Sequence, residues 1–194
     1  MSFLTQLVKG FKSNTNMTSE VTTDADTIQH LLNHPIFQEF QVFNTVKIDT
    51  IAIADPLKRR MARAYLKILY GHMDNAMRDV VRDYVTYCNN PVGIGTKLRE
   101  SISDTKKTAL NIGVPSLFID QYEPKAFSTV SITINTVIEI HQNQLYNSLE
   151  EEMSAYLDIV LMSMRMTLET LEDLINTMNG ELHHALVGSV FDTD

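Results

Sequence analysis

The chain's 194 residues, 44% of them hydrophobic and 21% charged, carry enough apolar mass for one domain with a buried core, which excludes a disordered chain or a disulfide-stapled miniature. Its 24 acidic against 16 basic side chains give a formal charge of -8, which repels a phosphate backbone and sets nucleic acid aside except through a local patch. A lone cysteine, Cys88, permits no internal disulfide or thiolate cluster, and no stretch approaches the roughly 18 consecutive apolar residues of a transmembrane helix, so the expected setting is the cytoplasm.

At the N-terminus, "SFLTQLVKGFK" sets Phe3, Leu4, Leu7, Val8 and Phe11 on one helical face and Ser2, Thr5, Gln6, Lys9 and Lys12 on the other. Alone it is too short to be a stable helix. "SNTNMTSEVTTD" is polar and aperiodic, so residues 1–23 read as a leader and linker ahead of a single helical domain over 24–194. "DTIQHLLNH" predicts a short helix stopped before Pro35; "PIFQEFQVFNTVKIDTIAIAD" is rich in Phe and Ile but mixed in period, and leaves a minor strand open over about 42–53.

The first long helix is expected over about 55–88. Asp55 can cap it and Pro56 suits its first position, where the missing N–H is not needed. Leu57, Met61, Ala64, Tyr65, Ile68, Met73, Ala76, Met77, Val80, Tyr84 and Cys88 follow at helical intervals until "NNP", with Gly71 as a candidate kink. "TKLRESISDTKKTALNIGVP" predicts a shorter helix with Leu98, Ile102, Ala109 and Leu110 inward, ended by Gly113 and Pro115. A second long helix, about 142–179, carries Leu145, Leu149, Met153, Leu157, Val160, Met164, Leu168, Leu171, Ile175 and Met178 in one phase.

Ahead of that helix, "STVSITINTVIEIH" is ambiguous. Its β-branched side chains at every even position from Val130 to Ile140 suit a half-buried strand over about 128–140. Yet Phe127, Val130, Ile134, Val137, Ile138 and His141 share a helical face that continues to Leu145. Both long helices contain "AYL", each preceded by "NTV", at a common offset of 91 that yields nine identities over 48 positions. An ancient duplication into halves 24–112 and 113–194 would give this, and so would two amphipathic helices aligned in phase. At that offset the helix faces agree, Phe43 with Ile134 and Val46 with Val137, whereas strand faces do not, since Val46 would sit beside Ile48 but Val137 beside Glu139, which favours helix over strand for 128–141. The expected fold is therefore mainly α: a bundle around two long helices.

Few residues suggest chemistry. His30 and His34, spaced i, i+4, could share one helix face as metal ligands, and His72 beside an apolar face could hold a haem; surface or satisfied histidines are the competing explanation. "ELHH" gives one Glu-x-x-His pair, Glu181 to His184, without the second that a di-iron centre needs. "GIG" at 93–95 is too short for a phosphate loop, and Cys88 lacks the basic surroundings of a nucleophile. No catalytic residue, cofactor or metal site is assigned.

"KRRMAR" places Lys58, Arg59, Arg60 and Arg63 at a helix N-terminus, where the helix dipole disfavours them. At the offset of 91, Arg59 and Arg60 match Glu150 and Glu151, so the basic and acidic patches could pair within the chain or between copies. The leader's Phe3, Leu7 and Phe11 face is the other candidate for docking, on a protein groove or, more weakly, a membrane surface. The amphipathic leader, the polar tract and "MTSE" together resemble the removable propeptides of internal head proteins of large tailed bacteriophages. That resemblance, which covers about the first tenth of the chain, implies cleavage after Glu20 and a setting in the virion or the infected bacterial cytoplasm. The functional expectation is a non-enzymatic structural or interaction protein that self-associates or docks on protein partners; the alternative is a haem- or metal-binding helical protein using His72 or His30 and His34.

Overall fold

The computed structural model describes residues 24–43, 53–178 and 184, and among these every regular element is a helix. They are α1 (Asp24–Leu32), α2 (Pro35–Phe43), α3 (Pro56–Arg82), α4 (Tyr84–Asn89), α5 (Val92–Asn111), α6 (Ser116–Gln142) and α7 (Leu149–Thr177). The leader residues Phe3, Leu7, Phe11 and Glu20 lie outside the described residues, as does most of the candidate strand at 42–53; its residues 42 and 43 close α2.

Local chemistry sets most of the boundaries. Asp55 Oδ1 accepts the backbone N–H groups of Leu57 at 2.9 Å and Lys58 at 3.0 Å, with Pro56 at the first position of α3. Gly71 leaves α3 continuous. At the C-terminus of α5, Gly113 adopts φ 89°, which costs glycine little, while its N–H reaches Leu110 O and that of Val114 reaches Ala109 O. Ser148 caps α7 by accepting from Glu151 N, and Glu150, Glu151 and Glu152 fill the first turn, where the dipole favours them.

Three boundaries differ from the sequence expectation. The helix expected over 55–88 is broken at Asp83, whose φ of -121° and ψ of 40° are not helical. The helix expected to start near 142 starts at Leu149, because the chain turns over 143–148 with Gln144 at φ 46°. Leu145, expected inward, is consequently 50% exposed, and Leu110 in the last turn of α5 is 41% exposed. The largest difference is α6: residues 128–141 are helical, and the helix begins a further three turns earlier, running through Pro124, which faces solvent. Val130, Thr133, Ile134 and Val137 are buried at helical spacing, whereas Ile132, which a strand would place beside Ile134, lies outside.

α3, α5, α6 and α7 alternate in direction. Ser101 of α5 meets the His72 carbonyl of α3, Gly95 of α5 lies against Ile134 of α6, and the Thr133 hydroxyl of α6 lies 2.6 Å from that of Ser163 of α7. α1 and α2 fill the gap between α3 and α7. They run parallel to α7, with His30 beside Glu150, His34 beside Asp158 and Glu39 beside Arg165, and they bury Phe37 and Phe40. Phe40 packs on Tyr70, and Arg78 stacks 4.7 Å from the Phe37 ring. Deeper in, Tyr65 meets Phe118 and Tyr122 edge-on at 5.2 Å.

Candidate functional site

The basic patch turns out to serve the fold. Lys58 Nζ donates to Ile175 O at 3.1 Å and to Met178 O, so a lysine at the start of α3 neutralises the carbonyl end of α7. Arg59 forks onto Ile53 O through Nε at 2.8 Å and Nη2 at 2.6 Å. Arg60 and Arg63 are exposed. Glu150 receives His30 at 2.6 Å, and Glu151 accepts Asn147 N at 3.2 Å. α3 and α7 are antiparallel, so the acidic patch at one end of α7 lies roughly 38 Å along the axis from the end that Lys58 caps. Pairing of the two patches within one chain is thereby excluded.

The histidines are dispersed over the fold. α1 ends at Leu32, so His30 and His34 share no helix face. His34 Nδ1 accepts Ile36 N at 3.2 Å as α2 begins, and its Nε2 faces Asp158 Oδ1 at 3.3 Å. His72 is half-buried on α3 opposite α5, and His184 is exposed. Among the described residues no group of three or more His, Cys, Asp or Glu side chains is placed to hold a metal ion.

The densest polar cluster lies where α4, the end of α6 and the start of α7 meet. Glu152 Oε1 receives His141 Nδ1 at 2.9 Å and the Tyr156 hydroxyl, while Cys88 Sγ reaches Leu149 O at 3.4 Å. Burial, reinforced by the Glu152 carboxylate, pushes the Cys88 thiol up to about 12, so it stays a protonated thiol rather than a nucleophile. A shallow trough of about 470 Å³ on α5 is lined by Arg99, Asp104, Lys107 and Phe127, but its charges are already partnered: Lys107 with Asp104 at 2.8 Å, Arg99 with Ser131 at 3.2 Å.

The remaining feature is apolar. Along the outer seam of α6 and α7, Ile132 is 56% exposed and Met166 42% exposed, beside Met162, Ile159 and a hollow of about 40 Å³. The α6 side of this seam carries Thr129, Thr133 and Thr136, whose hydroxyls donate to Lys125 O at 3.1 Å, Thr129 O at 2.9 Å and Ile132 O at 3.1 Å. Thr129 and Thr133 are buried beneath the seam and Thr136 is half-buried beside it, each with its hydroxyl turned back onto the helix. This surface is not evident in the sequence because the β-branched run suits a strand and a helix face alike. Ile132 falls off the buried Val130, Ile134, Val137 face once a helix is drawn, which is the signal that locates it.

No family model matches the chain, and neither the curated proteins nor the solved structures give a match. Among the described residues no helix is long and apolar enough to cross a membrane.

Proposed function

We propose that this chain is a non-enzymatic structural protein that works by association, with further copies of itself or with protein partners, through the α6–α7 seam. The observation that supports it is the exposure of Ile132 and Met166 on the two sides of this seam, apolar side chains that a helix of another chain covers favourably. Methionine adds adaptability, since its unbranched thioether fits contacts of more than one shape. The leader's resemblance to phage head propeptides supplies the setting within this proposal: a virion component matured by cleavage after Glu20, with the seam as its contact to the assembly.

Static light scattering on the purified chain tests the association. A mass above the 22.0 kDa monomer that rises with protein concentration is expected, either alone or on addition of head proteins from the native source. A single 22.0 kDa species under both conditions overturns the proposal. Mass spectrometry of the protein from its native source is expected to find a chain starting at Val21, and an intact Met1 start there removes the propeptide reading.

A further inference from the structure

We infer that the occupant of the seam is a second copy of this chain, bound antiparallel across a two-fold axis that passes beside Ile132. The inference rests on the interaction role proposed above and specifies its partner. Its basis is the order of side chains on the outer face of α6. Lys125, Ile132 and Glu139 are all exposed and are spaced by seven residues, which keeps them on one face, about 10.5 Å apart along the axis. The arrangement is basic, apolar, acidic, with the apolar residue at the midpoint.

A two-fold axis at that midpoint reverses the order in the second copy. Each Lys125 then faces the other copy's Glu139, and the two Ile132 side chains meet at the centre. The face is complementary to itself, as an isologous interface requires. A parallel arrangement would instead set lysine against lysine and glutamate against glutamate.

The surrounding relief suits the same partner. The hollow beside Ile132, lined by Thr133, Thr136, Met162 and Met166, holds about 40 Å³, room for the end of one aliphatic side chain and little more. Ile132 of the second copy is such a knob. Thr136, the half-buried neighbour of Ile132, is short and its hydroxyl is already bonded to Ile132 O, so a second helix can approach there without stranding a donor.

Ile132→Cys in the full chain is the test. A residue beside a two-fold axis meets its own copy, so mild oxidation is expected to give a disulfide-linked dimer through position 132. Cys88 is buried and supplies no competing thiol. Leu110→Cys, also exposed at 41% but on α5, is expected to remain monomeric at the same concentration. Lys125→Glu and Glu139→Lys are each expected to weaken the dimer about tenfold, because two symmetry-related pairs become repulsive, and the double exchange is expected to restore it.

A dimer seen by light scattering that neither cross-links through position 132 nor responds to the exchange overturns this geometry while leaving the interaction role standing. A full-length monomer whose Cys at 132 is protected from maleimide overturns it in favour of another occupant, such as residues 2–12. A monomer with that cysteine freely labelled, alone and with head proteins present, overturns both.

Discussion

Gly71 and Gly95 are both glycines inside long helices, and the structure gives them opposite meanings. A Cβ on Gly71 meets nothing within 4 Å, so that glycine only weakens α3. Gly71→Ala is expected to stabilise the chain by about 0.5–1 kcal/mol, the usual difference in helix propensity. A Cβ on Gly95 would lie 2.5 Å from Ile134 Cγ1, which sits one bond from the branched Cβ and is too near the backbone to swing aside. Gly95→Ala is therefore expected to cost about 1–3 kcal/mol despite the same gain in propensity. Urea midpoints of the two variants should move in opposite directions; a shared direction would mean that α5 and α6 do not approach at Gly95. In the sequence this glycine belongs to "GIG", which was weighed only as a phosphate loop. The signal that it is a packing contact resides in Ile134, more than thirty residues away, and no local pattern carries it.

At the scale of elements, the end of α7 depends on a side chain from α3. Lys58→Met keeps the stem of the side chain but removes the donors to Ile175 O and Met178 O, and it is expected to cost about 1–2 kcal/mol. Hydrogen exchange should localise the loss to the last turn of α7; a loss confined to the first turn of α3 would sink the capping assignment. Lys58 was legible as a misplaced charge, but the group it compensates was not. The same division runs through the other helices. α3 and α7 were legible because Met61, Tyr65, Met77, Val80 and, in α7, Met153, Leu157, Val160 and Met164 recur at helical spacing and are buried as that spacing demands. The turn over 143–148 was not, since apolar Leu145 and Leu149 continue the phase across it while standing largely exposed. In α6, β-branched residues depress helix propensity, and burial against α5 and α7 outweighs that preference. The offset of 91 has a structural counterpart. Phe40 meets Tyr70 across α2 and α3, and the positions 91 further on, Ser131 and Leu161, lie within one turn of Thr133 and Ser163, which meet across α6 and α7. The two pairs are antiparallel and share a register, and Pro124 lies within α6 at the position that matches the break between α1 and α2.

For the molecule as a whole, the core holds phenol and thiol protons that the open chain would release. Tyr65, Tyr70, Tyr122 and Tyr156 are buried, and burial is the first cause that raises each phenol above the ordinary tyrosine range; Glu123 adds to it at Tyr65, Glu39 and Glu172 at Tyr70, and the hydrogen bond to Glu152 at Tyr156. Cys88 is raised in the same way, to about 12. The open chain releases these protons near the ordinary values, about 9 for the thiol and about 10 for the phenols, where the folded chain still holds them. Above those values the unfolded state binds fewer protons than the native one, so this contribution is complete below about pH 9 and is lost as pH rises, by at most about 1.4 kcal/mol per pH unit for each group. Urea midpoints measured from about pH 8 to about pH 11 should fall with increasing slope once the phenols engage. The absorbance of the four phenolates should then appear together with loss of helical circular dichroism, in one transition. Phenolate forming at ordinary tyrosine values while helicity persists would show that water reaches these hydroxyls, and the packing of Tyr65 against Phe118 and Tyr122 would have to be looser than their 5.2 Å ring separations describe.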